Sequence, residues 1–268
     1  MNFAKGILGS LFLASAFFIE KTRPADINSV LFLAISGIVG IALGDTFFFI
    51  SLKYLGARLA SLTGTLTPVS IALFSVIFLK ENPSLFVWLG IFLTTAGVIY
   101  VLRERLPAPS ADTNQALDTT AHTQRALGIF YRLLSIICTT VGIILAKKGI
   151  TGVPALQATF IRLSASIPVI FLWACFTRQL NPCLAPLRDI SLFKNVLFVV
   201  FVVVFGGFWL SLLALKYIDA SIVGALNATS PIFILPIAAV MLKEKISKKA
   251  VFGTIIAVAG VVFILLGS

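Results

Sequence analysis

Long apolar runs recur along the 268 residues and are separated by short charged breaks. Most runs approach the roughly 20 residues that a helix needs to cross the hydrocarbon core of a bilayer. A transmembrane β-strand would need about ten residues of strict alternation, and segments such as 190–215 show no alternation. The pattern predicts an all-helical membrane protein with nine helices, at 4–19, 29–51, 58–79, 84–102, 127–146, 154–177, 194–215, 220–242 and 249–267.

The composition supports the membrane class. Apolar residues make up 59% of the chain, charged residues make up 12%, and the mean hydropathy is +1.07. Soluble domains are typically about 45–50% apolar and about 25% charged. These values exclude an ordinary cytosolic enzyme, a disordered protein and a nucleic-acid-binding domain. The net charge of +11 is therefore interpreted as loop charge beside a lipid bilayer.

One polar stretch interrupts the apolar pattern, at 103–125, and its prolines and threonines are typical of a flexible linker. It divides the chain into a first part, 1–102, and a second part, 126–268. His122 lies in this stretch, and we interpret it as a solvated loop residue. The three cysteines, Cys138, Cys175 and Cys183, show no metal-ligand or paired spacing. We therefore expect no metal, no disulfide framework and no cofactor.

The first apolar run admits two interpretations. Lys5 followed by an apolar segment and then Ala14-Ser15-Ala16 resembles a secretory signal with its cleavage site. The apolar run continues past that site through Phe17-Phe18-Ile19, which favours a first membrane helix. Sequencing of the mature N-terminus distinguishes the two, because cleavage would leave a chain that begins at Phe17.

A shift of 163 residues superposes two segments of the chain without a gap. Leu52-Lys53-Tyr54 then meets Leu215-Lys216-Tyr217, and Leu79-Lys80-Glu81 meets Leu242-Lys243-Glu244. Pro68 meets Pro231 under the same shift. Shared hydrophobicity would match scattered leucines, but it would not align these polar positions at one constant offset. The chain therefore contains an internal repeat.

Small residues recur at helical spacing on the repeated helices. The sets are Ser36, Gly40 and Gly44; Gly90, Thr94 and Gly97; and Gly253, Ala257 and Gly260. Small side chains let helices approach closely in lipid, so these faces are predicted to pack against other helices. A helix and its counterpart are five spans apart, and an odd number predicts that the two copies face opposite ways. Inverted repeats of this kind are a transporter architecture.

Residues Gly44–Leu102 and Gly207–Leu266 resemble the EamA repeat of the drug/metabolite transporter superfamily. The matching features are the Leu-Lys-Tyr segment, the proline, the Lys-Glu turn and the Gly…Ala-Gly-Val helix. The resemblance implies a secondary transporter of ten helices in two five-helix repeats, and export of an amino acid, metabolite or drug. The counterpart of helix 127–146 is missing from the first part, so we expect either that the chain start has been set too late or that this is a truncated or nine-helix variant.

Two charged residues fall inside predicted membrane helices. Arg162 lies within 154–177, where an arginine costs a few kcal/mol unless it is paired, snorkels or faces a wet cavity. It would contact an anionic group of a substrate, or it would snorkel to the nearer surface. Asp45 would bind a proton or pair with a cation such as Arg162. Its alternative role is a capping or packing carboxylate near a helix end.

The two repeated prolines are predicted near the middle of their helices, where each would free a backbone carbonyl. Hydrogen-bonding residues surround them, and the candidates for substrate binding are Thr63, Thr67, Pro68, Asn227, Thr229, Ser230 and Pro231. In the alternative interpretation the prolines are structural kinks and the hydroxyls bond within their own helices. Trp209 would stack on a substrate or serve as a packing aromatic. The Lys-Glu pairs at 80–81 and 243–244 are interpreted as solvated charges at helix ends.

The membrane orientation stays open at the level of sequence. One side carries 14 of the 21 lysines and arginines and the other carries 6, with Arg162 inside. The positive-inside rule places the richer side in the cytoplasm and the C-terminus outside, whereas the family resemblance implies a cytoplasmic C-terminus. A C-terminal reporter fusion would decide between them.

The sequence favours a non-enzymatic secondary transporter of a small molecule in the cell membrane, plasma or inner. No GxxxxGK[ST] loop occurs, so an ion or substrate gradient would supply the energy. A flippase for a lipid or lipid-linked substrate is the alternative. A membrane-embedded enzyme is less favoured, because the ten acidic residues and one histidine form no triad-like group. The oligomeric state is left undetermined.

Overall fold

A computed structural model describes residues 6, 8–13, 26–105, 119–177, 197–229 and 248–267. Within these ranges the regular structure is helical and no strand occurs. The α-helices are α1 Ile27–Ser36, α2 Gly44–Gly64, α3 Leu66–Phe74, α4 Leu85–Arg105, α5 Thr119–Gly149, α6 Ala155–Phe176, α7 Leu210–Tyr217, α8 Ala220–Asn227 and α9 Lys248–Gly267. Three π-helical stretches join them, at Gly37–Leu43, Ser75–Leu79 and Val202–Trp209.

Four continuous helices in the described part of the chain are long and apolar enough to cross a membrane. They are Ile27–Gly56, Gln124–Gly149, Ala155–Phe176 and Leu197–Tyr217. Shorter apolar helices occupy Leu66–Leu79, Leu85–Tyr100 and Val251–Gly267. Large apolar side chains remain exposed on the helices, as at Phe176, which is 86% exposed, because the surrounding solvent is lipid rather than water. The predicted class of all-helical, multi-pass membrane protein is confirmed.

Several observed helices begin or end at other residues than the apolar runs predicted, and specific residues explain the differences. The helix predicted at 29–51 extends from Ile27, where Asp26 accepts a hydrogen bond from the backbone N–H of Asn28 at 3.3 Å, to a bend at Gly56 inside α2. Gly56 has φ +69° and ψ 169°, a conformation that glycine adopts without steric cost. The run predicted at 58–79 is broken at Thr65, between α2 and α3.

The chain forms two compact units. The first unit comprises Met1–Thr46 and Cys138–Ile218, and the second unit comprises Phe47–Ile137 and Asp219–Ser268. Each unit therefore combines helices from the N-terminal and C-terminal parts of the sequence.

The core of the first unit surrounds α6. Leu163 of α6 is fully buried together with Leu13 and Val204, so the described part of the first apolar run packs as a helix. Gly40 and Gly142 bring α5 close to the π-helical stretch, because a Cβ atom added at Gly40 would lie 3.0 Å from the Cα atom of Gly142. A Cβ at Gly44 would lie 3.0 Å from the hydroxyl oxygen of Thr139. The predicted packing role of this small-residue ladder is confirmed.

In the second unit, α4 and α9 pack along their small-residue faces. A Cβ at Gly90 would lie 2.6 Å from the carbonyl oxygen of Gly260, and a Cβ at Gly97 would lie 2.7 Å from that of Gly253. Residue numbers rise along α4 as they fall along α9, so the two helices run antiparallel. The predicted small-residue contact is confirmed.

Two π-helical stretches occupy corresponding places in the repeat. Under the shift of 163 residues, residues 39–43 of the stretch Gly37–Leu43 correspond to residues 202–206 of the stretch Val202–Trp209. Each π turn inserts an extra residue into a helix, a feature that is often found at functional sites. The two copies thus share a local backbone irregularity as well as residues.

Candidate functional site

The first break in the apolar helices lies directly before Pro68. Helix α2 ends at Gly64, Thr65 forms a turn, and α3 begins at Leu66. Pro68 is therefore in the first turn of α3 rather than near the middle of a helix, and the sequence prediction is corrected on this point. The first N–H groups of a helix lack intrahelical partners, so proline is tolerated there.

The end of α8 lies at the corresponding place in the other copy, and we refer to this end as the second break. Helix α8 ends at Asn227, and Ala228 and Thr229 form a turn; Asn227 is the counterpart of Gly64. The candidates Ser230 and Pro231 lie outside the described residues. Helices α3 and α8 pack together, since a Cβ at Gly224 would lie 2.9 Å from the side chain of Ile71. Gly224 is about one turn before the second break, and Ile71 is nearly two turns after the first.

Arg132 of α5 lies at the first break. Its Nε donates a hydrogen bond to the carbonyl oxygen of Ala60 over 3.0 Å, and its Nη1 is 3.4 Å from Ser135 Oγ. Its Cζ lies 4.8 Å from the ring centroid of Phe48, which allows a cation–π interaction. A Cβ at Gly64 would overlap Arg132 Nη2. A cation thus lies beside the last turn of α2, where the helix dipole favours positive charge.

Arg132 is one of the 14 basic residues that the positive-inside count places on the charge-rich side of the membrane. Its position a few residues inside the run 127–146, next to Tyr131, was the available signal. Tyr131 stacks against Phe47 and Tyr54, with ring centroids 6.0 and 6.3 Å apart. Its partner Ala60 lies 72 residues away in sequence, so the sequence alone did not bring the two residues together.

Hydroxyl groups near the breaks bond within their own helices. Thr63 donates to the carbonyl oxygen of Leu59 at 2.7 Å, and Thr229 donates to that of Leu226 at 2.6 Å. Thr67 is half-buried in the first turn of α3, and Asn227 is exposed at the end of α8. The geometry of Thr63 and Thr229 therefore agrees with the structural interpretation of their hydroxyls.

Arg162 is buried in the first unit and is only 8% exposed, which does not fit a snorkelling side chain. Its Nη2 would lie 3.6 Å from a Cβ at Gly40. Its Nε has no hydrogen-bond partner in the described part of the protein, and Asp45 interacts electrostatically with its charge. An unpaired buried donor costs about 1–3 kcal/mol, so this guanidinium is held at a free-energy cost.

Other polar atoms are buried in the same unit. Ser36 Oγ, Thr140 Oγ1 and Gln157 Oε1 have no hydrogen-bond partner within the described ranges. Trp209 is half-buried at the end of its π-helical stretch, with its ring edge-on to Phe205 at a centroid distance of 6.3 Å. Trp209 therefore packs against a neighbouring aromatic ring.

The candidate residues fall into two groups. Asp45, Arg162 and Trp209 belong to the first unit, whereas the described residues at the two breaks belong to the second. Among the described residues, no group of three or more His, Cys, Asp and Glu side chains could hold a metal ion. The first unit offers Arg162, whose charge interacts with that of Asp45. The second unit offers neutral hydrogen-bonding groups at two helix ends, where Thr65 and Thr229 are buried.

Glu81 overturns the prediction of a solvated Lys-Glu pair. Its carboxylate accepts hydrogen bonds from the backbone N–H of Ala220 at 2.9 Å and from the N–H and hydroxyl of Ser221 at 3.4 and 3.2 Å. The first N–H groups of α8 have no acceptor within their own helix, and the Glu81 carboxylate accepts hydrogen bonds from them in place of water. Lys80 remains exposed. Lys243 and Glu244 lie outside the described residues.

Comparisons with known proteins place the chain in a family. A model of the EamA-like transporter family matches residues 1–103 and 126–266. A solved structure titled only "Crystal structure of protein" is similar in fold, with a TM-score of 0.78 and 16% identity over 100% of this chain and 88% of that chain. A search of the curated proteins found no match. Because the matched residues cover nearly the whole chain, this protein belongs to the EamA-like transporter family and is a membrane transporter of the drug/metabolite type.

Proposed function

We propose that the protein is a secondary transporter that exports a small metabolite or amino acid across the cell membrane by alternating access around a midplane cavity. The observation that carries this proposal is the pair of helix breaks at Thr65 and at Ala228–Thr229. In secondary transporters, discontinuous helices expose backbone groups where substrate and ions bind. The contact between Ile71 and Gly224, which lies within two turns of each break, supports a shared site for the two breaks.

Two inverted repeats, one in each part of the sequence, are part of this proposal. The antiparallel packing of α4 on α9 supports them, because these helices are counterparts under the shift of 163 residues. Two related repeats that face opposite ways can exchange conformations when a transporter changes the side to which its cavity is open. The sequence division into 1–102, the linker 103–125 and 126–268 follows the same two copies.

The proposed substrate contacts are the neutral groups at the breaks and the charged pair in the first unit. The former are Thr63, Thr67, Pro68, Asn227, Thr229, Ser230 and Pro231. The hydroxyls of Thr63 and Thr229 donate within their own helices, so they would contact a substrate only as acceptors. Arg162 would bind an anionic group, Asp45 would balance the charge or carry a proton, and Trp209 would stack on an apolar part. Burial of Arg162 with an unpartnered Nε supports its role, because an arginine at membrane depth is retained at a cost.

The experiment begins with a thermal-shift screen of small metabolites against the purified protein. Hits are then measured for counterflow in proteoliposomes, with Arg162→Met and Pro68→Ala compared with the control Gly207→Ala. A Cβ at Gly207 meets no atom within 4 Å, so the control retains transport. We expect both test variants to lose most counterflow. Full counterflow in both would show that the proposed site is wrong, and flipping of labelled lipid without any solute counterflow would overturn the function.

A further inference from the structure

We propose that the first unit carries a binding site for the head group of an anionic phospholipid, formed by Lys147, Lys148 and Lys216 where two membrane-spanning helices end. The two spans are Gln124–Gly149 and Leu197–Tyr217. Each lysine lies in the last turn of its span, at the level where a helix leaves the hydrocarbon core for the polar head groups. Binding of lipid at this site does not depend on the proposed transport function.

Lys147 brings the two helix ends together. Its Nζ donates hydrogen bonds to the carbonyl oxygens of Leu215 and Ile218, each over 2.8 Å. The last carbonyls of a helix have no intrahelical donor, and a cation near them interacts favourably with the helix dipole. Because Lys216 lies between the two acceptor residues in the chain, this contact places it beside Lys147 and Lys148 of α5.

Donor groups remain for a ligand at this point. An ammonium group has three N–H donors, and the bonds to Leu215 and Ile218 use two of those of Lys147, which is half-buried. Lys148 and Lys216 are exposed, and each carries its ammonium group on a flexible four-carbon stem. The three ammonium groups can therefore converge on one phosphate, whose oxygens accept charge-assisted hydrogen bonds.

The distribution of charge also favours a local role for these lysines. The positive-inside count gives this side of the membrane only 6 of the 21 basic residues, and three of the six are Lys147, Lys148 and Lys216. Charges that only set the membrane orientation are expected to accumulate on the opposite, charge-rich side. The cluster on the charge-poor side therefore requires another explanation, and attraction of an anionic group is one.

The backbone adds positive potential at this end of the first unit. A turn that is closed by a hydrogen bond from the N–H of Val153 to the carbonyl oxygen of Ile150, at 3.1 Å, leads from α5 into α6. The first N–H groups of α6 have no intrahelical acceptor, and Pro154 before them provides no side-chain cap. Because the N-terminus of a helix favours anions, α6 supports binding of a phosphate near the end of α5.

Two acidic residues near this end leave the lysines in excess. A Cβ at Gly149 would lie 3.0 Å from the side chain of Leu33 of α1, and Asp26 precedes Leu33 by about two turns, roughly 10 Å along the helix axis. The carboxylate of Asp26 caps the first turn of α1. Asp219 is the acidic residue nearest to Lys216 along the chain. Three positive charges against two negative ones still attract a singly charged head group.

Tyr217 favours a lipid over a soluble anion. Its side chain is 75% exposed directly after Lys216, and tyrosine is enriched where a membrane meets water because its ring is apolar and its hydroxyl is polar. The ring would contact the glycerol and the upper acyl chains of a phospholipid whose phosphate the lysines bind. Basic clusters beside membrane helices bind anionic head groups in this way, whereas a free phosphate would gain nothing from the ring.

Native mass spectrometry of the delipidated, full-length protein tests the site. Phosphatidylglycerol is compared with phosphatidylcholine of the same acyl chains, and the wild type should bind phosphatidylglycerol more tightly. Lys148→Gln and Lys216→Gln should each lower this affinity about five-fold, and Lys216→Arg should retain it. The matched control is Lys53→Gln, which removes the same charge at the exposed counterpart of Lys216 in the other copy and should change nothing.

The substituted lysines are exposed, so these variants are expected to fold, and their melting temperatures check this. Equal binding of the two lipids by the wild type would overturn the site. An equal loss of affinity in Lys53→Gln and Lys216→Gln would also overturn it, because total charge would then explain the binding. Displacement of phosphatidylglycerol by an equal concentration of inorganic phosphate would show a soluble anion site instead. Failure of solute counterflow, by contrast, would affect only the proposed function.

Discussion

Thr94 and Ala257 are separated by 163 residues, the same offset that superposes the two copies, and they contact each other: the Thr94 hydroxyl lies 3.5 Å from the carbonyl oxygen of Ala257. Residues that are counterparts in a repeat and also meet in space lie close to the axis that relates the copies. The neighbouring contacts are crossed, with Gly90 on Gly260 and Gly97 on Gly253. That pattern is expected for a two-fold relationship between α4 and α9 and not for a simple translation.

Cysteine cross-linking separates the antiparallel arrangement from a parallel one. Ser84 donates a hydrogen bond to the carbonyl oxygen of Gly267 over 2.9 Å, so Ser84→Cys combined with Gly267→Cys should form a disulfide readily. Ser84→Cys combined with Lys248→Cys should not, because α9 has 20 residues and its two ends are roughly 30 Å apart. The measurement uses a variant with a protease site between the two cysteines. After mild oxidation and proteolysis, a disulfide keeps the two fragments together on a non-reducing gel. Cross-linking only in the second pair would contradict inverted repeats.

The close approach of α4 and α9 predicts a strong effect of one methyl group. In Gly97→Ala, the new Cβ would lie 2.6 Å from the backbone nitrogen of Ala257, so the helices must separate. Such overpacking costs roughly 1–3 kcal/mol of unfolding free energy, measured by denaturant titration in mixed micelles. Gly207→Ala is the matched control, because a Cβ there meets no atom within 4 Å. Equal stability of the two variants would mean that the helices do not touch at Gly97.

The sequence predicted two kinds of feature: the membrane helices, which follow from the length of the apolar runs, and the packing faces that recur in both copies of the repeat. The small-residue faces at Gly90 and Gly253 were predictable because spacing along a helix determines which side chains share a face. The role of Glu81 was not predictable. A glutamate at a helix end looks the same in the sequence whether its carboxylate is solvated or caps a distant helix. Arg132 was assigned to the surface for a similar reason: its partner, the Ala60 carbonyl, lies 72 residues away in sequence.

Arg132 predicts a local instability at the first helix break. Arg132→Met should lower the unfolding free energy by about 1.5–3 kcal/mol, because it removes a charged donor from the Ala60 carbonyl. Hydrogen exchange should accelerate mainly at the end of α2 and the start of α3. Arg132→Lys should not restore the loss, since an ammonium lacks the planar fork that reaches Ala60 and Ser135 together.

The control for this prediction is Arg125→Met, which changes an exposed arginine two turns earlier on the same helix. It should leave both the stability and the exchange near Thr65 unchanged. If Arg125→Met and Arg132→Met behave alike, the contact at the break contributes no specific stability.

Arg162 and Asp45 predict a separation of stability from transport. Arg162→Met leaves the half-buried Asp45 without this cation and should lower the unfolding free energy by about 1–3 kcal/mol, less than the loss of one partner of a fully buried ion pair. Adding Asp45→Asn removes the remaining charge, so the double variant should regain most of the unfolding free energy. Replacement of a buried ion pair by neutral side chains is often close to neutral in stability. Counterflow of a solute selected by thermal shift should stay lost in both variants, because the contact with the anionic group is absent. If the double variant recovers counterflow as well as stability, the two charges have only a structural role. If Arg162→Met alone is as stable as the wild type, the two charges do not interact.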